Sequence, residues 1–158
     1  MGNIKPLHVT VTVTTKKGKE NKTINFVKQG CKLFFNAQHL LLNLHAGERA
    51  LYDYLLEKMV NKNNTITIDV AFKNDFIAHI AKITSNQTQY KLQSLNKYTK
   101  KLEELGLIIS MSSINSGFYS VNPKYAFKGT EKQREATLKS LIENRNKQGL
   151  PTNMLASI

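Results

Sequence analysis

The sequence predicts an α+β chain in which short β-hairpins flank a helical middle, and three observations carry that expectation. Val9, Val11 and Val13 alternate with Thr10, Thr12 and Thr14, the period-two pattern of a strand with one buried face. From Ala46 onward, apolar residues recur instead at the spacing of amphipathic helices. Two further apolar runs meet around Asn115-Ser116-Gly117, which reads as a second hairpin.

In chain order, Leu7 to Thr15 reads as a strand, Lys16 to Asn21 as a polar turn around Gly18, and Lys22 to Lys28 as the returning strand. Cys31 to Phe35 suggests a third short strand. Ala46 to Val60 is a helix, with Ala50, Leu51, Tyr54, Leu55 and Met59 on its apolar stripe. Asn61 to Asn64 breaks it, and Thr65 to Asp69 is a short strand. Asn74 is placed to cap a second helix through Lys82, with Phe76, Ile77, Ile80 and Ala81 inward. Thr84 to Gln87 is the turn. A longer third helix follows to about Leu105, its inner stripe marked by Leu92, Leu95, Tyr98 or Thr99, Leu102 and Leu105. Gly106 is the expected stop, because glycine tolerates the left-handed conformation. Leu107 to Ser113 and Phe118 to Val121 form the second hairpin, which Pro123 ends. Glu131 to Lys147 is a final charged helix, and Gln148 to Ile158 is expected to be a mobile tail.

Composition narrows the class. The 158 residues are 41 % hydrophobic, an ordinary globular proportion. Net charge is +12, which favours a polyanionic partner. Residues 1–43 hold seven Lys and one Glu, so they contribute half of that excess. The one cysteine, Cys31, excludes a disulfide framework within the chain and suits a reducing cytoplasm. No signal peptide is evident. The longest apolar run, His39 to Leu44, falls far short of the roughly 20 residues a membrane span needs.

Helix, short strand, helix, tight turn, helix, hairpin is the order of a winged helix-turn-helix. The expected organisation is a basic N-terminal β-hairpin extension over 1–43, a winged-helix domain over 44–129, and a C-terminal helix and tail over 130–158. In such a domain the third helix projects a polar face of a size that fits the major groove of B-DNA. No acidic residue stands between Asp75 and Glu103, while Lys82, Lys91, Lys97, Lys100 and Lys101 fall in that window. Gln87, Thr88, Gln89, Gln93, Ser94 and Asn96 lie among them. Gln and Asn can bond adenine through two atoms, and Lys reaches guanine or phosphate. The plain alternative is a solvated helix face, the usual meaning of Lys and Gln on a helix; the hairpin that follows favours DNA. Gln87, Thr88, Gln89, Lys91, Gln93 and Ser94 are the candidates for base and nearby phosphate contacts. Lys82, Lys97, Lys100 and Lys101 are the candidate phosphate anchors. The wing from Ser110 to Ser120 holds no charged residue. Its candidate contacts are Ser113, Asn115 and Ser116, with Lys16, Lys17 and Lys19 of the N-terminal hairpin as basic substitutes.

The stretch NDFIAHIAKITSNQTQYKLQSLNKYTKKLEELGLI, followed by FYSVNPKYAFKG, resembles the RepL family of winged-helix plasmid replication proteins. The resemblance covers about Leu44 to Gly129. The LEELGLI step is shared with many winged-helix families, and VNPKYAFKG is the more distinctive part. The resemblance implies binding to a plasmid origin, in support of replication initiation or its control.

Catalysis is not expected. His8, His39, His45 and His79 are scattered, and no HExxH, CxxC, phosphate-loop or GxSxG motif occurs. The six tyrosines read as core or rim residues, and Cys31 as a small buried hydrophobe. No cofactor and no metal are expected. The expected partners are double-stranded DNA, a second copy of the chain and replication proteins, with no membrane. Two rival readings use the same fold: a transcriptional regulator, and a protein-interaction module, which the uncharged wing favours.

Overall fold

The computed structural model describes residues 31–114 and 117–156, with the backbone of 13–15 and 18–20. The chain divides into two compact units, 1–30 and 31–158. In the first, β1 (Val13–Thr15) and β2 (Gly18–Glu20) pair antiparallel, with Thr15 opposite Gly18. The expected hairpin is present, but Gly18 is a strand residue and not the centre of a turn. Short hairpin loops match the right-handed twist of paired strands better than a six-residue turn does. The remaining parts of the two expected strands, 7–12 and 22–28, lie outside the described residues.

The second unit opens with β3 (Lys32–Leu33) and a 3-10 turn, Phe35–Ala37, that runs into α1 (Gln38–Leu41). Then come α2 (Ala46–Lys58), β4 (Thr65–Thr67), α3 (Val70–Ile83) and α4 (Leu92–Glu104). The chain continues through β5 (Ile108–Ser110), β6 (Phe118–Val121), β7 (Ala126–Phe127), α5 (Glu131–Lys147) and a closing 3-10 turn, Asn153–Leu155. One antiparallel sheet has the order β4-β6-β5, with Ile66 opposite Tyr119 and Ser120 opposite Ile109. This is the winged helix-turn-helix: α2, β4, α3 and α4, with β5 and β6 as the wing. The strand expected within Cys31 to Phe35 forms, and it pairs with β7. Among the described residues no helix is long and apolar enough to cross a membrane.

Local chemistry explains where the helices start. His45 caps α2: its Nδ1 accepts from the backbone N–H of Gly47 at 3.1 Å, and Glu48 Oε2 accepts from the N–H of His45 at 3.1 Å. The helix then runs to Lys58, two residues short of expectation. Asp69, not Asn74, caps α3, because its Oδ1 accepts from the N–H of Phe72 at 2.8 Å. The helix therefore begins a turn earlier than expected and Asn74 lies inside it. A Thr130–Gln133 capping box starts α5, whose bounds are those expected.

The main core gathers Leu51, Tyr52 and Leu55 of α2, Phe76 of α3, Leu95 and Leu102 of α4, and Leu107, Ile108 and Val121 of the wing's base. A second cluster joins Ile109, Leu141 and Leu155. Leu155 is only 2 % exposed, so the tail up to that residue is docked, contrary to the expectation of mobility. Two polar groups fix it. Arg145 Nε donates to the Pro151 carbonyl at 2.7 Å, and Asn122 Nδ2 donates to the Met154 carbonyl at 3.1 Å.

Candidate nucleic-acid interface

The connection between α3 and α4 is built by two residues in the left-handed region, Ser85 at φ 49° and Asn86 at φ 62°. Thr84 holds it. Its hydroxyl donates to the Ile80 carbonyl at 2.7 Å and accepts from the N–H of Thr88 at 3.1 Å. Tyr90 folds back onto the core, stacked on Phe76 at 5.8 Å and edge-on to Tyr98 at 5.7 Å. Burial, with Tyr98 beside it, pushes the Tyr90 phenol above its ordinary range. This aromatic anchor lengthens the connection, and α4 starts only at Leu92 with Lys91 at its N-cap. Gln87 lies in the connection, as the turn read over Thr84 to Gln87 has it, and Thr88 and Gln89 lie there too, not on the third helix as expected. Gln87 and Gln89 are exposed and Thr88 is half-buried.

On α4, Leu95, Thr99 and Leu102 face the core. Gln93, Lys97 and Lys100 are exposed and succeed one another at i, i+4 and i+7, so they share the face turned away from it. Lys91 is exposed at the start of the helix, and Ser94 and Lys101 are half-buried on its flank. Lys82 is exposed in the last turn of α3. No side chain caps α4 and no acid stands in its first turn, so the positive end of its dipole is left uncompensated. Gly47 sets how close α2 comes to this helix: a Cβ there would lie 2.8 Å from the Tyr98 ring.

Two neighbours of this face were not foreseen. Lys73 of α3 donates from Nζ to Asn96 Oδ1 at 2.7 Å, a pairing between residues 23 apart that no helical spacing reveals. Glu104 approaches Lys100 at 4.0 Å, so the outward face ends on an acid that competes for that lysine. Both groups are exposed, and such a pair is weak in water.

The wing is braced from behind by α5 and the residue after it. Arg145 Nη1 donates to the Ser110 carbonyl at 2.7 Å. Gln148 accepts from the N–H of Ser113 at 3.1 Å and donates to the Met111 carbonyl at 3.2 Å. Ser113 is exposed; Asn115, Ser116, Lys16 and Lys17 lie outside the described residues. Lys19 lies in β2, opposite Thr14. Near the wing's tip Ile114 is 76 % exposed and Phe118 40 %, both apolar.

The candidate catalytic types have other company. His45 is a helix cap, and the His79 ring lies 5.1 Å from that of Tyr54. Tyr52, Tyr54 and Tyr119 are buried in the core. Burial pushes the Cys31 thiol up to about 11, with Lys128 acting weakly the other way. Among the described residues no group of three His, Cys, Asp or Glu side chains is placed to hold a metal ion.

Comparison with known proteins adds the family. Neither curated proteins nor solved structures gave a match. The family described as Firmicute plasmid replication protein (RepL) matches residues 10–152, which takes in β1, β2 and α5 as well as the winged helix. With most of its length matched, the chain belongs to the RepL family of plasmid replication proteins.

Proposed function

We propose that this chain binds double-stranded DNA sequence-specifically at a plasmid origin, with α4 in the major groove, and that it serves replication initiation or its control by binding and not by catalysis. The outward face of α4 is the observation that carries this reading. Gln93 and Lys97 stand there in the open, Lys91 marks an uncapped helix start, and no acid falls between Asp75 and Glu103. Gln93 and Ser94 read base edges, while Lys91, Lys97, Lys100, Lys101 and Lys82 hold phosphates. Gln87, Thr88 and Gln89 approach the DNA from the connection ahead of the helix, where phosphate contacts are the natural role. Membership of a plasmid replication family favours an origin over a promoter as the target.

Selection of bound duplexes from random DNA by the full chain tests this. Directly repeated sites that recur in the replicon's origin are expected, and a spacing near one helical turn would identify two copies of the chain side by side. A single promoter-like palindrome would replace the origin reading with transcriptional regulation. Failure to enrich any sequence would remove sequence-specific binding altogether.

A further inference from the structure

We propose that copies of this chain join head to tail, the helical face of Phe35 and Leu42 on one copy packing against the wing tip of the next at Ile114 and Phe118. The contact stands on its own observations and rests on the DNA-binding reading only for the repeated sites it would span.

Among the described residues, Phe35 and Leu42, each 86 % exposed, and Ile114 are the most exposed large apolar side chains. They fall in two stretches, Leu33 to Gly47 and Leu105 to Pro123, which are the longest runs of the chain without Lys, Arg, Asp or Glu. Phe35 opens the 3-10 turn and Leu42 follows α1, about two helical turns on. Ala37 and Leu41 are buried behind them, so Phe35 and Leu42 lie on the opposite, outward face with exposed Gln38 and His39 between. Ile114 and Phe118 stand at the free end of the wing. Apolar groups clustered in the open mark a contact surface.

The chain's own charge selects the partner. At +12, two copies repel one another over most of their surface, and faces without charge are where they can meet. The fold then sets the geometry. Arg134, early in α5, lies over the Phe34 ring at 4.1 Å, and Gln148, just past the end of α5, holds Met111 and Ser113 of the wing. The 14 residues from Arg134 to Gln148, at about 1.5 Å of rise each, put the anchors of the two patches roughly 20 Å apart at opposite ends of α5. One copy therefore cannot cover one patch with the other. Two unlike patches that pair between copies make a contact that repeats along a row and does not close into a two-fold dimer. Such a row matches directly repeated DNA sites, whereas a two-fold dimer matches inverted ones.

Sedimentation of the full chain without DNA tests this, from about 1 µM to about 1 mM, the range expected of a small interface. The wild type should grow with concentration past the dimer to longer species. F35S/L42S and I114S should each raise the concentration needed by about tenfold or more, the worth of an apolar side chain left unburied. An equimolar mixture of these two variants should restore association at wild-type concentrations but stop at the dimer, because only one intact pair of faces exists between them. I83S, changed at an exposed apolar residue outside both patches, should behave as the wild type. A wild type that stays monomeric throughout would overturn the contact and leave the patches to other proteins. A wild type that stops at the dimer, a mixture no better than its components, or an equal loss in I83S would overturn it as well. None of these outcomes touches DNA binding, and a chain that enriches no DNA sequence would leave the contact standing.

Discussion

Asn64 stands at φ 57° with no exposed surface, and its side chain holds three backbone groups together. Nδ2 donates to the carbonyls of Val121 at 3.0 Å and Ala126 at 2.7 Å, and Oδ1 accepts from the N–H of Lys128 at 3.2 Å. In the sequence Asn61 to Asn64 reads only as a helix breaker, because the partners lie some 60 residues away in the chain. Asn122 works in the same way, with its amide donating to the Gly106 carbonyl at 2.8 Å and its Oδ1 accepting from the N–H of Lys124 at 3.0 Å. The distinctive run VNPKYAFKG is therefore largely structural: Val121, Asn122, Ala126 and Phe127 are buried, and a Cβ on Gly129 would meet the Phe127 ring at 2.8 Å. Asn64→Ala leaves buried carbonyls unpaired and puts a Cβ residue without local side-chain bonding in the left-handed region. It should cost about 3 kcal/mol. Urea unfolding measures this, and a loss well under 1 kcal/mol would contradict the anchoring role.

At the scale of elements, the helical stripes were legible because burial on one face of a helix leaves a period in the sequence. Leu51, Leu55, Phe76, Ile80, Leu95 and Leu102 were all placed inward from spacing alone, and all are buried. Element edges were harder. Asn74 looks like the cap of the second helix, yet the Asp69 side chain caps it and makes Val70 to Lys73 the first turn of α3. Thr88 to Lys91 look like the start of a helix, yet the left-handed Ser85 and Asn86 and the inward Tyr90 make them connection. The tail after α5 has no period to read, since its docking depends on Arg145 and Asn122 from elsewhere. Removing residues 149–158 strips Leu155 from the second core and takes away one acceptor of the buried Arg145. The loss should be about 3 kcal/mol, the sum of one buried leucine and its associated hydrogen bonds. With Arg145 held less firmly, the wing it braces at Ser110 should become more open to proteolysis between Met111 and Phe118. A truncated chain as stable as the full one would show the tail to be idle.

For the whole molecule, net charge pointed to a polyanion but not to the surface that meets it. Half of the +12 lies in residues 1–43, and the proposed interface holds only five lysines of the 23 basic residues. What singled out α4 was the absence of acids over 27 positions, and the structure sharpens that to the face carrying Gln93, Lys97 and Lys100, with Glu104 at its far end. The family confirms a place in plasmid replication, and the wing, uncharged and braced by α5, is the part of the fold least suited to hold phosphate. The most direct test is a salt titration of duplex DNA binding for the wild type and for Lys91→Ala combined with Lys97→Ala. Each phosphate contact contributes about 0.9 to the slope of log K against log salt. The double variant should bind every duplex more weakly and show a slope shallower by about 2. An affinity and a slope equal to those of the wild type would contradict the assignment of α4 as the DNA-binding surface.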